Sequence, residues 1–298
     1  MLAAGERPAP LFCLDTCTHE DALAERPHFR VRVLEFPNGF LEYVAVEQEG
    51  RALVRSGGER VHRVGVPDPE AALRSSYRAR RGLRHRLLMM GADRMFTFTA
   101  RGGLADRDAA WAVWKRFERL MRRRFRGRWR CVAVPELHKG GGPNDGTYHL
   151  HVAVQGFWDV TIMRRYWHMA LGAAGEQRGV DSPGSVDIAY RRVPGAGGRL
   201  SWAPDQVARY LGKYLSKQGD ERGLWRKRYA AAGGFAQPVV SIRRVLLNDA
   251  AYQLRNMIFE RDADITMWRE LVIAGRRVIV AFARVRRGSR GGPVLSSA

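Results

Sequence analysis

Residues Trp129 to Leu137 read WRCVAVPEL, and Tyr148 to Phe157 read YHLHVAVQGF; between them lies HKGGGPNDGT. Two apolar runs are joined by a connection crowded with Gly, Pro, Asn and Asp, residues that turn a chain back on itself. The spacing therefore predicts a β-hairpin. Side chains alternate along a strand, so His149 and His151 share one face while Leu150 takes the other. Leu150 and the run Val152-Ala153-Val154 anchor the second strand in a core. Hairpin pairing brings Glu136, near the end of the first strand, beside the two imidazoles.

Two histidines and a carboxylate facing one way, with coordination positions left open, suit a divalent ion that must also hold a phosphate oxygen. Mg²⁺ or Mn²⁺ fits that description, and catalytic zinc sites use the same donors. His138 lies on the same face as Glu136 by alternation, so the third ligand is Glu136 or His138 on this reading. The hydrophobe between the histidines is the ordinary mark of a strand. The ligand reading needs a second motif.

That motif is VARYLGKYLSK. Asp205 to Gln218 has helical spacing, with Pro204 at its N-terminal boundary. Tyr210 and Tyr214 are four apart and so lie one above the other on one helix face. Lys213 and Lys217 follow each tyrosine by three. A phenol near its usual pKa of about 10 is a poor nucleophile at neutral pH. A cation on the phosphate oxygens and a lysine beside the developing charge are two ways to activate the reaction. Attack on phosphorus yields a tyrosine–phosphate ester and frees a 3′-hydroxyl. Two tyrosines permit two successive transfers.

Around these motifs the chain alternates helices and short strands. Ala71 to Met90 has a helical pattern rich in arginine (Arg74, Arg78, Arg80, Arg81, Arg84, Arg86), and Met95 to Thr99, MFTFT, reads as a buried strand. Asp106 to Arg124 is a helix with Trp111, Trp114, Phe117, Leu120 and Met121 near 3.6 spacing. Thr161 to Ala173 is a further helix and Ser185 to Arg192 a further strand. The resulting class is α+β, a mainly antiparallel five-stranded sheet with packed helices. Residues 1–70 read as a β-rich lead-in, 71–250 as the catalytic domain and 251–298 as an extension of helix and strand with a basic, disordered tail.

The charge balance names the partner. Lys+Arg number 51 against 30 Asp+Glu, a net +21 with a pI near 11.0. Such an excess favours a polyanion, nucleic acid first among them. Arg119, Arg122, Arg123, Arg124, Arg126 and Arg128 form the densest cluster and are the candidate DNA contacts. Trp111, Trp114, Trp129 and Trp158 are candidates for base stacking, although the helical spacing of the first two reads as core. Only three cysteines occur; Cys13, Cys17 and His19 lack a fourth zinc ligand at a usual spacing, and the count suits a reducing compartment. No apolar signal core or membrane span is present, since Arg276 and Arg277 break LVIAGRRVIVAFARV. A cytoplasmic location is expected.

The ordered set resembles the HUH endonuclease superfamily, the rolling-circle replication initiators of plasmids and single-stranded DNA phages. Met95-Phe96-Thr97-Phe98-Thr99 is similar to the family's first motif, His149-Leu150-His151 to its second, and Tyr210-Leu-Gly-Lys213-Tyr214 to its third in the two-tyrosine form. The resemblance covers Arg80 to Ile242. It implies a five-stranded antiparallel palm, a metal held by His149, His151 and Glu136, and strand-specific nicking at an origin hairpin. It also implies 5′-phosphotyrosine intermediates on Tyr210 and Tyr214, with Lys213 and Lys217 assisting. No G-x-x-x-x-G-K-[ST] motif occurs, so a host helicase and polymerase are expected partners. A two-tyrosine transposase shows the same motif order, and a non-catalytic basic nucleic-acid-binding protein shares the charge. A relaxase places its tyrosine before the histidines, against the order here.

Overall fold

The computed structural model describes residues 28–48, 69–138, 145–189, 202–217, 228–246, 249–273 and 275–286. Cys13, Cys17, His19 and most of the basic tail lie outside them. The chain divides into two compact units, residues 62–238 and residues 1–61 with 239–298. Five helices and two five-stranded antiparallel sheets appear among the described residues, so the class is α+β.

In the unit spanning 62–238 the helices are α1 (Pro69–Met90), α2 (Arg107–Phe125), α3 (Val160–Ala170) and α4 (Pro204–Lys217). The strands there are β3 (Arg94–Ala100), β4 (Cys131–Leu137), β5 (Tyr148–Val154), β6 (Gly184–Ala189) and β7 (Ala230–Ala232), in the spatial order β6-β3-β5-β4-β7. This is the expected antiparallel palm. The β4–β5 hairpin has the register the sequence implied, with Glu136 opposite His149 and Val134 opposite His151. Its connection closes further through His138 N–H to the Thr147 carbonyl at 2.7 Å. Gly103 lets that end of the hairpin seat. Its φ is +74°, and a Cβ there meets the Thr147 side chain at 2.2 Å, so only glycine fits.

Alternation divides the core between the sheet's two faces. Phe96, Phe98, Leu150, Val152 and Val154 turn one way and pack against Trp114, Phe117 and Met121 of α2 and Trp167 of α3. Asp106 caps α2 by accepting from Ala109 N–H at 2.7 Å. On the other face Met95, Val132, Val134 and Ala153 pack against Leu83 and Leu87 of α1 and Val207, Leu211 and Leu215 of α4. The Arg80 guanidinium donates to the Gly212 carbonyl at 3.4 Å, joining α1 to α4.

The second unit corrects the linear division of the chain. β1 (His28–Phe36), β2 (Phe40–Gln48), β8 (Val239–Leu246), β9 (Ala263–Ile273) and β10 (Arg276–Val285) form one sheet, ordered β8-β1-β2-β10-β9. The lead-in and the C-terminal extension are thus one body, with α5 (Ala250–Phe259) over a core of Phe29, Val31, Tyr43, Leu254 and Ile279. Residues 239–246, read with the catalytic domain, pair instead with β1. The cause is a pairing between segments about two hundred residues apart, which no local pattern carries. Arg276 and Arg277 open β10 just after a turn at Gly275 (φ +76°). The two arginines that break the apolar run therefore sit at a hairpin bend.

Candidate active site

β3, β4 and β5 each present one polar position or more to the face covered by α1 and α4. Glu136 stands on β4, His149 and His151 on β5, and Thr97 on β3 opposite His151. The Glu136 Oε2 lies 3.1 Å from His149 Nε2 and 2.7 Å from His151 Nε2, and the two Nε2 atoms are 3.1 Å apart. Three ligand atoms therefore converge on one point. Neighbouring ligands of an octahedral Mg²⁺, at bond lengths of 2.0–2.1 Å, stand about 3.0 Å apart. The donor set and its spacing fit such an ion with one coordination face left open.

On the far side of His151, Nδ1 lies 3.2 Å from the Thr97 hydroxyl. A partner at Nδ1 fixes the ring orientation and aims Nε2 at Glu136, a usual arrangement for a metal-ligating histidine. The electrostatics follow from crowding. Burial pushes the Glu136 carboxyl up, but hydrogen bonds from His149 and His151 and their charges outweigh it and hold its pKa at about 2. Burial holds the His151 imidazole below its ordinary value, against the pull of Glu136. Both shifts favour the anionic carboxylate and neutral imidazole that a cation requires.

α4 lies over this cluster. The Tyr214 ring stacks on His151 with centroids 4.4 Å apart and planes 13° apart. Tyr210 stands edge-on to the same imidazole at 6.1 Å, and the two phenol rings are 5.2 Å apart. Tyr214 is 7% exposed, whereas Tyr210 is half-buried. Burial, and then its hydrogen bond with Tyr210, drive the Tyr214 hydroxyl well above the ordinary phenol value. Trp202 fixes the start of α4. Its indole N–H donates to the Ala189 carbonyl at 2.9 Å, and its ring packs on Tyr210 at 5.7 Å.

Residues 93–219 match the family model of the replication-associated proteins of the ORF2 type. That segment is a replication-associated domain of this family. It runs from the residue before β3 to just past α4, so it contains Thr97, Glu136, both histidines and both tyrosines. No curated protein and no solved structure matches the chain.

Within the replication-associated domain, five expected site residues meet: Glu136, His149, His151, Tyr210 and Tyr214. His138 does not join the converging ligand atoms; it is exposed, with its ring 5.4 Å from that of His149. Lys213 is exposed on α4 and contacts neither the histidines nor Glu136, and the side chain of Lys217 lies outside the described residues. Arg119, Arg122, Arg123 and Arg124 are exposed on α2, with Arg126 and Arg128 in the turn beyond it. α2 covers the opposite face of the sheet, so these arginines are not part of the histidine site. The basic residues on the site's own face are those of α1, with Arg80, Arg81 and Arg84 half-buried there.

The tryptophans are corrected as well. Trp114 and Trp129 are each 1% exposed and Trp111 is 9% exposed, so they are core. Trp158 packs edge-on against Phe125 and Trp129, both at 5.0 Å. None presents an open ring for a stacked base. Trp202 and the Thr97–His151 contact went unread in the sequence. The alternation that paired the histidines also puts Thr97 on their face, so its signal was present; Trp202 carries none.

Proposed function

We propose that the chain is a replication initiator that nicks single-stranded origin DNA, becomes joined to the 5′ end through a phosphotyrosine, and later rejoins the strand. The observation that carries the reading is the stacking of a tyrosine-bearing helix directly on the His-His-Glu cluster. Tyrosines used only for packing have no need of a three-ligand polar cluster beneath them.

His149, His151 and Glu136 would hold the divalent ion, Mg²⁺ or Mn²⁺. When bound, it supplies Lewis-acid charge to the phosphate oxygens. Thr97 keeps His151 turned toward that point. Tyr210 is the better candidate for first attack, because it is half-buried whereas Tyr214 is packed beneath it against His151. Its Oη forms a bond to phosphorus as the bond from phosphorus to the 3′ oxygen breaks. The proton lost by the phenol is balanced by the proton taken up by that 3′ oxygen. Tyr214, one helical turn on, is the candidate for the second transfer. Exposed Lys213 and Lys217 are candidates to meet the DNA phosphates from the helix surface.

On this reading the chain acts on a plasmid or phage replicon in the bacterial cytoplasm, with an origin hairpin as substrate and a host helicase and polymerase as partners. No described helix is long and apolar enough to cross a membrane. The test is incubation with labelled single-stranded origin DNA and Mn²⁺, followed by denaturing electrophoresis. A covalent protein–DNA adduct is expected with the wild-type chain and none with Tyr210→Phe/Tyr214→Phe. An adduct that persists in the double variant removes the tyrosines from the chemistry.

A further inference from the structure

The face of the sheet away from the histidines carries a second feature. A cavity of about 670 Å³ opens between α2 and β7. Arg107, Trp111, Lys115 and Arg119 line it at intervals of four residues, one stripe of the helix. Arg116 borders the stripe, and Ala230 of β7 forms the opposite wall. The volume falls within the range of sites that hold a nucleotide-sized group.

Its chemistry is directional. Lys115, Arg116 and Arg119 are exposed, and none forms an ion pair among the described residues. Of the acids on the wall, Glu118 is engaged by Arg122 at 3.5 Å. The cations therefore stand at the rim, while Trp111, Ala112 and Ala230 give the floor an apolar surface. The basic rim continues past the cavity along the exposed Arg122, Arg123, Arg126 and Arg128. An apolar floor beneath a basic rim suits a ligand with flat apolar rings on an anionic chain. Single-stranded DNA has that form, whereas a duplex keeps its base faces stacked inside. A replication-associated domain meets such a strand in its ordinary substrate.

We propose that the groove between α2 and β7 is a second binding path for single-stranded DNA, on the face of the sheet opposite the histidine cluster. Phosphates lie on Lys115, Arg116 and Arg119, and a base edge rests over Trp111. One sheet then holds two segments of DNA at once, one on each face. The assignment depends on neither the tyrosines nor the histidines.

The test is photocrosslinking of the full chain to an oligothymidylate of about 15 nucleotides carrying 5-iododeoxyuridine, with the joined peptides mapped by mass spectrometry. Crosslinks are expected on the peptide containing Trp111 as well as on α4. In Lys115→Glu/Arg116→Glu the α2 crosslinks should disappear, and affinity for the oligonucleotide should fall about tenfold. These two side chains are exposed, so the change does not threaten the core. Crosslinks confined to α1, α4 and the histidine strands overturn the groove, as does duplex DNA or polyglutamate displacing the oligonucleotide from α2 equally well. α2 crosslinks without a covalent adduct at Tyr210 or Tyr214 support the groove and count against the nicking reading alone.

Discussion

The two faces of the β6-β3-β5-β4-β7 sheet are made by the same strands and differ in nearly everything else. On one, Phe98 is ringed edge-on by Trp114, Phe117 and Trp167 at 6.3, 5.0 and 5.2 Å. That face is apolar and closed by α2 and α3. On the other, the residues next to those in sequence are Thr97, His149 and His151, and they meet Glu136 under α4. Leu150 is in the aromatic core while its two neighbours stand in the polar cluster. A strand of period two can carry stability on its even positions and chemistry on its odd ones. Rigid packing on the first face holds the polar atoms of the second at fixed spacing.

If this division holds, substitutions on the two faces should fail in different assays. The largest expected effect is on the tyrosines above the polar face. Tyr210→Phe/Tyr214→Phe should lower the yield of covalent adduct by on the order of 10³-fold or more, with the denaturation midpoint little changed. Of the single variants, Tyr210→Phe should lower the first cleavage more than Tyr214→Phe. Equal losses would break the assignment of order.

Next in size is the aromatic face. Phe117→Ala removes a fully buried ring and should cost about 3–5 kcal/mol of stability in urea titration. Mn²⁺ affinity of the folded fraction should stay within about threefold of wild type. A large loss of metal affinity there would show that the two faces are coupled rather than divided.

Glu136→Gln keeps the shape of the side chain and removes its charge. Mn²⁺ affinity by calorimetry should fall about 100-fold, and stability should change by less than that of Phe117→Ala. The smallest effect belongs to Thr97→Val, which deletes the hydroxyl at His151 Nδ1. Metal affinity should fall roughly tenfold, and Thr97→Ser should recover most of it. Failure of serine to recover it would assign the loss to packing.

The candidate site was legible to the extent that it is local. Alternation alone puts Glu136, His149 and His151 on one face, and a Gly- and Pro-rich connection of fixed length sets their register. Helical spacing alone stacks Tyr210 over Tyr214. What failed were statements about which side of an element meets which neighbour. The arginines from Arg119 to Arg128 lie close in sequence to the histidine strand but are held on the opposite face, because Trp114 and Phe117 bury α2 against Phe98. Trp129 is in the core for the same reason, packed edge-on against Phe117 at 5.9 Å.

By itself, then, the sequence determined the α+β class, the hairpin, the ligand triad and the paired tyrosines, because each follows from a period of two or 3.6 over a few residues. Tertiary structure decided that α4 descends onto the triad with Tyr214 against His151. It also decided that Thr97 braces that ring and that strands from the two ends of the chain close one further sheet. These are pairings between segments far apart along the chain. They are selected by the burial of whole faces together, a quantity that no short stretch of residues carries.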